Sequence, residues 1–178
     1  MITFIARIMN QVLMGHLKPP TLRKDIPKTL VYSVPFRCWP IDMDMFIHMN
    51  NASYLRVAEL ARWRIFPQTG AMELTRKRGI LFLVVSQQAS YLKQLPALKN
   101  FEVETKVTVA DNKWLHYTHT FQKPPKAGQD PYIYAVVECK AVLKEKSGKT
   151  VRLTEISKDS EFYKHLAPDV EGSESSTN

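Results

Sequence analysis

The sequence lacks the materials of several common kinds of site. It has two cysteines, Cys38 and Cys139, in 178 residues. That is too few for a disulfide-rich scaffold or a four-cysteine zinc site. Its six glycines form neither a G-x-G-x-x-G nor a P-loop, so no nucleotide fingerprint is present. No apolar run reaches about 18 residues, so no transmembrane helix is expected. No Gly-Phe-Gly-Phe kind of RNA-binding strand signature occurs, and no specific nucleic acid is expected as a partner. No metal site, cofactor or internal repeat is expected either.

The length fits one domain with short extensions. Hydrophobic residues make up 44% and charged residues 24%, ordinary figures for a globular chain that argue against a disordered or fibrous one. Twenty-five basic side chains against 17 acidic ones leave a net charge of +8. Such a balance either favours anionic partners (nucleic acid, anionic lipid, a phosphate-bearing substrate or carrier) or is a solvated basic surface.

Composition divides the chain at 1–27, 28–166 and 167–178. Residues 1–24 contain no Asp or Glu. Within them Ile2, Ile5, Met9, Val12 and His16 fall at helical spacing, and Arg7, Lys18, Arg23 and Lys24 supply positive charge. A basic, amphipathic, acid-free start reads as a mitochondrial transit segment, a helix on a membrane surface, or a helix docked on its own domain. A mitochondrial address is the first expectation, with cytoplasmic or membrane-peripheral placement as alternatives. Pro19 and Pro20 end the segment, and it is expected to add nothing to the fold of the body. The last residues are small, polar and acidic and are expected to form a disordered tail.

In the body, Leu30, Tyr32, Val34 and Phe36 alternate as a first strand does. A helix begins near Asn50 or Asn51, since an Asn side chain can accept a first-turn N–H. It runs to about Phe66, where Pro67 disfavours continuation. Apolar residues lie on most of its sides, which predicts a helix buried nearly all round. After Gly79 the period changes. Ile80–Val85 is an apolar run of strand length, and Phe101, Val103, Thr105, Val107 and Val109 alternate with polar residues. Asp111-Asn112-Lys113 is a hairpin signal leading into Trp114–Phe121. Ile133–Leu143 forms another strand, Thr150–Leu153 returns, and a short helix follows near 157–166. One strand, one buried helix and a run of hairpin-connected strands define the α+β class, a single long helix wrapped by a curved antiparallel β-sheet. Such a sheet leaves an exposed edge that a second copy can cover.

Chemistry concentrates before that helix. Asp42, Asp44, His48, Asn50 and Asn51 fall within ten residues, at a helix N-terminus whose unpaired N–H groups and positive dipole end can stabilise an oxyanion. A carboxylate there can act as general base or nucleophile. These parts suit acyl transfer to water; equally, they are what a capped helix and a polar loop require.

The string Asp42-Met43-Asp44-Met45-Phe46-Ile47-His48-Met49-Asn50-Asn51-Ala52-Ser53-Tyr54, with Glu59, Ala61 and Arg62, resembles the signature of hot-dog-fold thioesterases. Among these it is similar to the 4-hydroxybenzoyl-CoA group, the plant acyl-carrier-protein enzymes and, most of all, the proteins grouped around thioesterase superfamily member six. Tyr91–Leu95 and Phe101–Thr105 resemble the same family, and the likeness covers roughly residues 30–145. The resemblance implies a hot-dog fold and hydrolysis of a fatty acyl thioester of coenzyme A or acyl carrier protein. It implies that Asp44 attacks the thioester or activates water, assisted by His48, with Glu59 helping to place water. By spacing, Glu59 is instead expected to pair with Arg62, three residues on, or to bond to the loop. It places Asn51 where a backbone N–H polarises the thioester carbonyl, with Tyr54 nearby as a substrate-binding or core residue. Asp42 reads as structural. Phe46 stands where the plant enzymes carry an asparagine, and the residues after Asp44 lack the Pro-x-Gly of the hydroxybenzoyl-CoA enzymes. The alternative function is therefore a catalytically weak or inactive hot-dog domain, serving as a structural or lipid-binding subunit of a larger assembly. The expected state is a homodimer or a subunit of such an assembly.

Overall fold

A computed structural model describes residues 2–124 and 128–168. Five strands, β1 (Leu30–Arg37), β2 (Leu81–Tyr91), β3 (Asn100–Ala110), β4 (Trp114–Gln122) and β5 (Ile133–Lys144), form one antiparallel sheet in the order β1-β3-β4-β5-β2. The helix α2 (Asn51–Ile65) packs on β2, β3 and β5. The alternation read from the sequence is what puts one face of the sheet into the core. Phe101, Val103, Thr105 and Val107 are buried, while Glu102, Glu104 and Lys106 between them point away. Asp111 and Asn112 both take positive φ, 51° and 53°, the left-handed region that Asp and Asn tolerate better than most residues. That turn sets the register in which Ala110 faces Trp114.

The start of α2 follows from Asn50. Its backbone is extended and its Oδ1 accepts the N–H of Ala52 at 2.9 Å. The helix ends in a 3₁₀ turn over Phe66–Gln68 at Pro67. Tyr54, Val57, Ala58, Leu60, Ala61 and Ile65 are buried along it.

Four features differ from the sequence reading. First, the N-terminal segment does not stand apart from the fold. The helix α1 (Ile2–Leu17) docks on α2. Arg7 Nη1 lies 2.6 Å from Oδ1 of Asp42, which is 0% exposed, and Arg64 Nη2 donates to the Lys18 carbonyl at 3.1 Å. Gly15 is buried, and a Cβ there would run into the carbonyl oxygen of Arg64. Basic composition marks the segment as distinct, but Arg7 finds its counter-charge in the body. Second, a helix absent from the sequence reading, α3 (Ala71–Arg78), sits between Gly70 and Gly79, both at positive φ. Third, Thr150–Leu153 makes only an isolated bridge, Lys144 to Thr150. Leu153 instead opens α4 (Leu153–Ile156), because Leu153 and Ile156, three apart, both bury in the core. Fourth, the C-terminal helix is shorter than expected. It is α5 (Glu161–Leu166), started by Ser160, whose Oγ accepts the Phe162 N–H at 3.2 Å. The expected acidic tail lies, from residue 169 onward, outside the described residues.

Strand β2 is an edge strand, and Leu81, Leu83, Val84 and Val85 are exposed on it. The apolar run read from the sequence at Ile80–Val85 is thus buried at Ile80 and partly an uncovered flank beyond it. Among the described residues, no helix is long and apolar enough to cross a membrane.

Candidate active site

The loop before α2 is a small hairpin of its own. Met43 bridges Met49, the Asp44 N–H donates to the His48 carbonyl at 3.1 Å, and Ile47 takes a φ of 63° at the turn. The segment after β2 clamps it: Met49 N–H donates to the Leu95 carbonyl at 2.9 Å, and Ala97 N–H to that of Ile47 at 3.2 Å. This backbone pairing brings Asp44 and His48 to the same place. Asp44 Oδ2 lies 3.4 Å from His48 Nδ1, with side-chain exposures of 22% and 25%. The other oxygen, Oδ1, accepts the N–H of Phe46 at 2.9 Å, which fixes the rotamer. The apolar tip does not bury the pair. Met45, Phe46 and Ile47 are exposed, and the Phe46 ring stacks on His48 with centroids 6.0 Å apart.

Asp42 is a neighbour in sequence but has a different role. Both its oxygens face Arg7, Oδ2 accepts the Trp39 N–H, and its carbonyl accepts the Asn50 N–H at 2.9 Å. It anchors the loop and the cap residue and offers no free oxygen to a ligand.

At the start of α2, the N–H groups of Ala52 and Ser53 are taken by the side chain and carbonyl of Asn50. Among the described residues, the N–H of Asn51 has no acceptor. It therefore remains as a donor at the positive end of the helix. The Asn51 carbonyl accepts from the Tyr91 hydroxyl at 3.1 Å, which pins this first residue to β2.

Two residues named with these lie further along α2. Tyr54 is buried, edge-on to Tyr91 and Phe121 at 5.3 and 5.1 Å. Desolvation pushes its phenol up to about 12, so it stays a neutral part of the floor. Glu59 is eight residues along α2 from Asn51, roughly 12 Å at 1.5 Å per residue. It accepts from the Trp63 indole at 3.3 Å, and among the described residues no ion pair joins it to Arg62. Arg62 reaches His119 instead, with Nη1 3.1 Å from Nε2. The sequence reading missed His119. Its one signal is a histidine at an inward position of an alternating strand.

The cysteines are buried and free, and burial raises the Cys38 thiol to about 11 and also lifts that of Cys139. Neither is a thiolate nucleophile at neutral pH. Among the described residues, no group of three His, Cys, Asp or Glu is arranged to hold a metal ion.

Comparison with known proteins places this geometry. A family described as the thioesterase-like superfamily matches residues 38–162, well over half of the chain. Protein THEM6 of Drosophila melanogaster is 31% identical over 100 residues, covering 56% of this chain and 50% of that protein. Protein THEM6 of Xenopus laevis is 29% identical over 98 residues, 55% of this chain and 45% of its own length. The chain thus spans about half the length of the curated relatives it matches. Among solved structures, the probable thioesterase YbaW from Escherichia coli superposes with a TM-score of 0.65 at 17% identity, over 75% of this chain and 98% of that one. The 4-hydroxybenzoyl CoA thioesterase from Pseudomonas sp. strain CBS-3 gives 0.58 at 18% identity, over 68% and 92%. SAV2348 from Staphylococcus aureus, solved in complex with CoA, gives 0.60 at 16%, over 81% and 90%. At these identities the likeness establishes the fold, the hot-dog arrangement of sheet around helix.

Proposed function

The chain belongs to the thioesterase-like superfamily, and from that premise we propose that it hydrolyses a fatty acyl thioester of coenzyme A or of acyl carrier protein. The observation that carries this reading is the approach of Asp44 Oδ2 to His48 Nδ1, 3.4 Å apart, in the loop that runs into the N-terminus of α2, whose first N–H, that of Asn51, has no acceptor among the described residues. The N–H binds the thioester oxygen and stabilises the oxyanion. Asp44 takes a proton from water as the water attacks the carbonyl carbon, or attacks it directly to give a mixed anhydride that water then opens. The C–S bond breaks, and the thiolate leaves and is protonated. His48 orients Asp44. Glu59 lies roughly 12 Å along the helix from Asn51, and Tyr54 is buried beneath the start of the helix, against Tyr91. The working unit is a homodimer paired along the exposed β2 edge, where Leu83 and Val85 need cover. An acyl-CoA series assayed by thiol release tests the proposal. Hydrolysis should fall at least about a hundredfold in Asp44→Asn, the loss of general-base help, while thermal unfolding stays unchanged. Full activity in Asp44→Asn would refute the assignment.

A second reading is favoured by one observation. Ile2, Ile5, Met9, Leu13 and Leu17 form an exposed stripe along α1, on the side turned away from α2. That stripe suits a lipid-associated subunit at a mitochondrial or other membrane surface. Cosedimentation with anionic vesicles, lost in Met9→Glu/Leu13→Glu, supports it; absence of hydrolysis with every chain length would make it the better reading.

A further inference from the structure

A cavity of about 500 Å³ opens between the C-terminal half of α2, α3 and the start of β2, away from Asp44. Ile65, Phe66, Leu74, Ile80, Phe82 and Leu143 supply its apolar walls. Its size is ordinary for a small-molecule site, which runs roughly 300–1,000 Å³. The two charged groups on its wall are Glu59 and Arg62.

Arg62 is held in an unusual way. Among the described residues no carboxylate pairs with it. Its recorded partner is Nε2 of His119, a fully buried imidazole whose Nδ1 lies 2.8 Å from Oγ1 of the buried Thr105. Burial first, and the Arg62 charge second, hold His119 well below its ordinary range, so the ring is neutral. A neutral Nε2 that faces a guanidinium must accept, which leaves Nδ1–H to donate to Thr105. This chain of neutral groups fixes the direction of the guanidinium without cancelling its charge. Among the described residues one N–H is engaged, and the others of its five-donor fork remain. A guanidinium on the wall of an apolar cavity is poorly solvated, and the ligand group that matches its fork is a carboxylate.

Glu59 narrows the ligand further. Its carboxylate lines the same cavity and is tied by Oε1 to the Trp63 indole. One negative charge seated on Arg62 is compensated there; a dianionic phosphate would bring a second charge up against Glu59.

We infer that this cavity is a second ligand site, binding a medium-chain monocarboxylic acid with its carboxylate on Arg62 and its alkyl chain against Phe66, Leu74, Ile80 and Phe82. At roughly 30 Å³ per heavy atom, the share of a water molecule in the liquid, the volume accommodates decanoate. The site does not use Asp44, so it stands or falls separately from thioester hydrolysis.

Calorimetric titration of the full chain with decanoate, decanol and decyl phosphate tests it. Decanoate should bind saturably with one site per chain, at least tenfold more tightly than decanol or decyl phosphate. Arg62→Gln should weaken decanoate at least tenfold and leave decanol unchanged, and Asp44→Asn should leave decanoate binding unchanged. If Arg62→Gln does not fold, Val84→Trp, which fills the mouth of the cavity from β2, decides the matter by the same tenfold loss. No saturable binding of decanoate, equal binding of decanol, or full binding by a folded Arg62→Gln or Val84→Trp overturns the inference.

Discussion

Replacing Arg7 by Met tests whether α1 is a working part of the fold. Asp42 is 0% exposed, and among the described residues Arg7 is its one charged partner: Nη1 stands 2.6 Å from Oδ1 and Nη2 3.2 Å from Oδ2. Without Arg7, the carboxylate keeps the Trp39 N–H, at 3.2 Å, as its remaining donor. Breaking a buried pair from one side costs about 3–5 kcal/mol, because the surviving charge is left uncompensated. Arg7 is 21% exposed, and a cavity lined by Arg7, Asn10, Trp39 and Ile41 opens beside it. Water can therefore reach part of the site, and the expected loss is smaller, about 2–3 kcal/mol. For a domain of this size each kcal/mol shifts the melting temperature by roughly 2–4 °C. A fall of roughly 4–12 °C should appear in thermal unfolding followed by circular dichroism. The control is a double-mutant cycle with Asp42→Asn, which removes the charge but keeps an acceptor for Trp39. In that background Arg7→Met should cost less than about 1 kcal/mol, since no buried charge remains to be stranded. A drop of less than about 2 °C in the single variant, or an equal drop in both backgrounds, would show that the pair does not fasten α1 to the body.

Three further outcomes follow from the same contacts. Gly15→Val should free α1 from α2, because its Cβ meets the Arg64 carbonyl; rapid proteolysis within residues 2–17 at conditions where the parent is resistant is the readout. His119 binds a proton less readily folded than unfolded, because burial and Arg62 depress it. Stability is then lost as pH falls below the unfolded-state pKa near 6.5, by about 2 kcal/mol between pH 7 and 5. Urea denaturation at the two pH values should show that loss, and His119→Gln should flatten it. Along the β2 edge, Leu83→Lys/Val85→Lys should convert a species of twice 20.5 kDa to a monomer in light scattering; a parent that is already monomeric removes the edge-paired dimer.

Much of the fold was legible because it rests on local periodicity. The two-residue alternation of Phe101–Val109 and the left-handed turn at Asp111-Asn112 are properties of short stretches, and they survive into β3 and its hairpin. The Asn50 cap and the Pro67 stop delimit α2 for equally local reasons. Where reading failed, packing in the folded chain overrode the local pattern. Val151 and Leu153 alternate as a strand does, but Ile156 has a place in the core that only a helical turn reaches. Glu59 and Arg62 have the spacing of an ion pair on a helix, yet Trp63 takes the one and His119, 57 residues away, takes the other.

The candidate site divides along the same line. By itself the sequence determined that a carboxylate, a histidine and a free helix-start N–H occur together between Asp44 and Asn51, since all three lie within one loop and one cap. Only the tertiary structure decided how the side chains are placed and paired. The segment around Leu95–Ala97 clamps the loop so that Asp44 and His48 face one another. The Arg7 guanidinium, 35 residues from Asp42, commits that carboxylate to holding α1. A charge in the chain has no fixed role until burial removes water and leaves it one partner, and which partner that is depends on how distant segments pack.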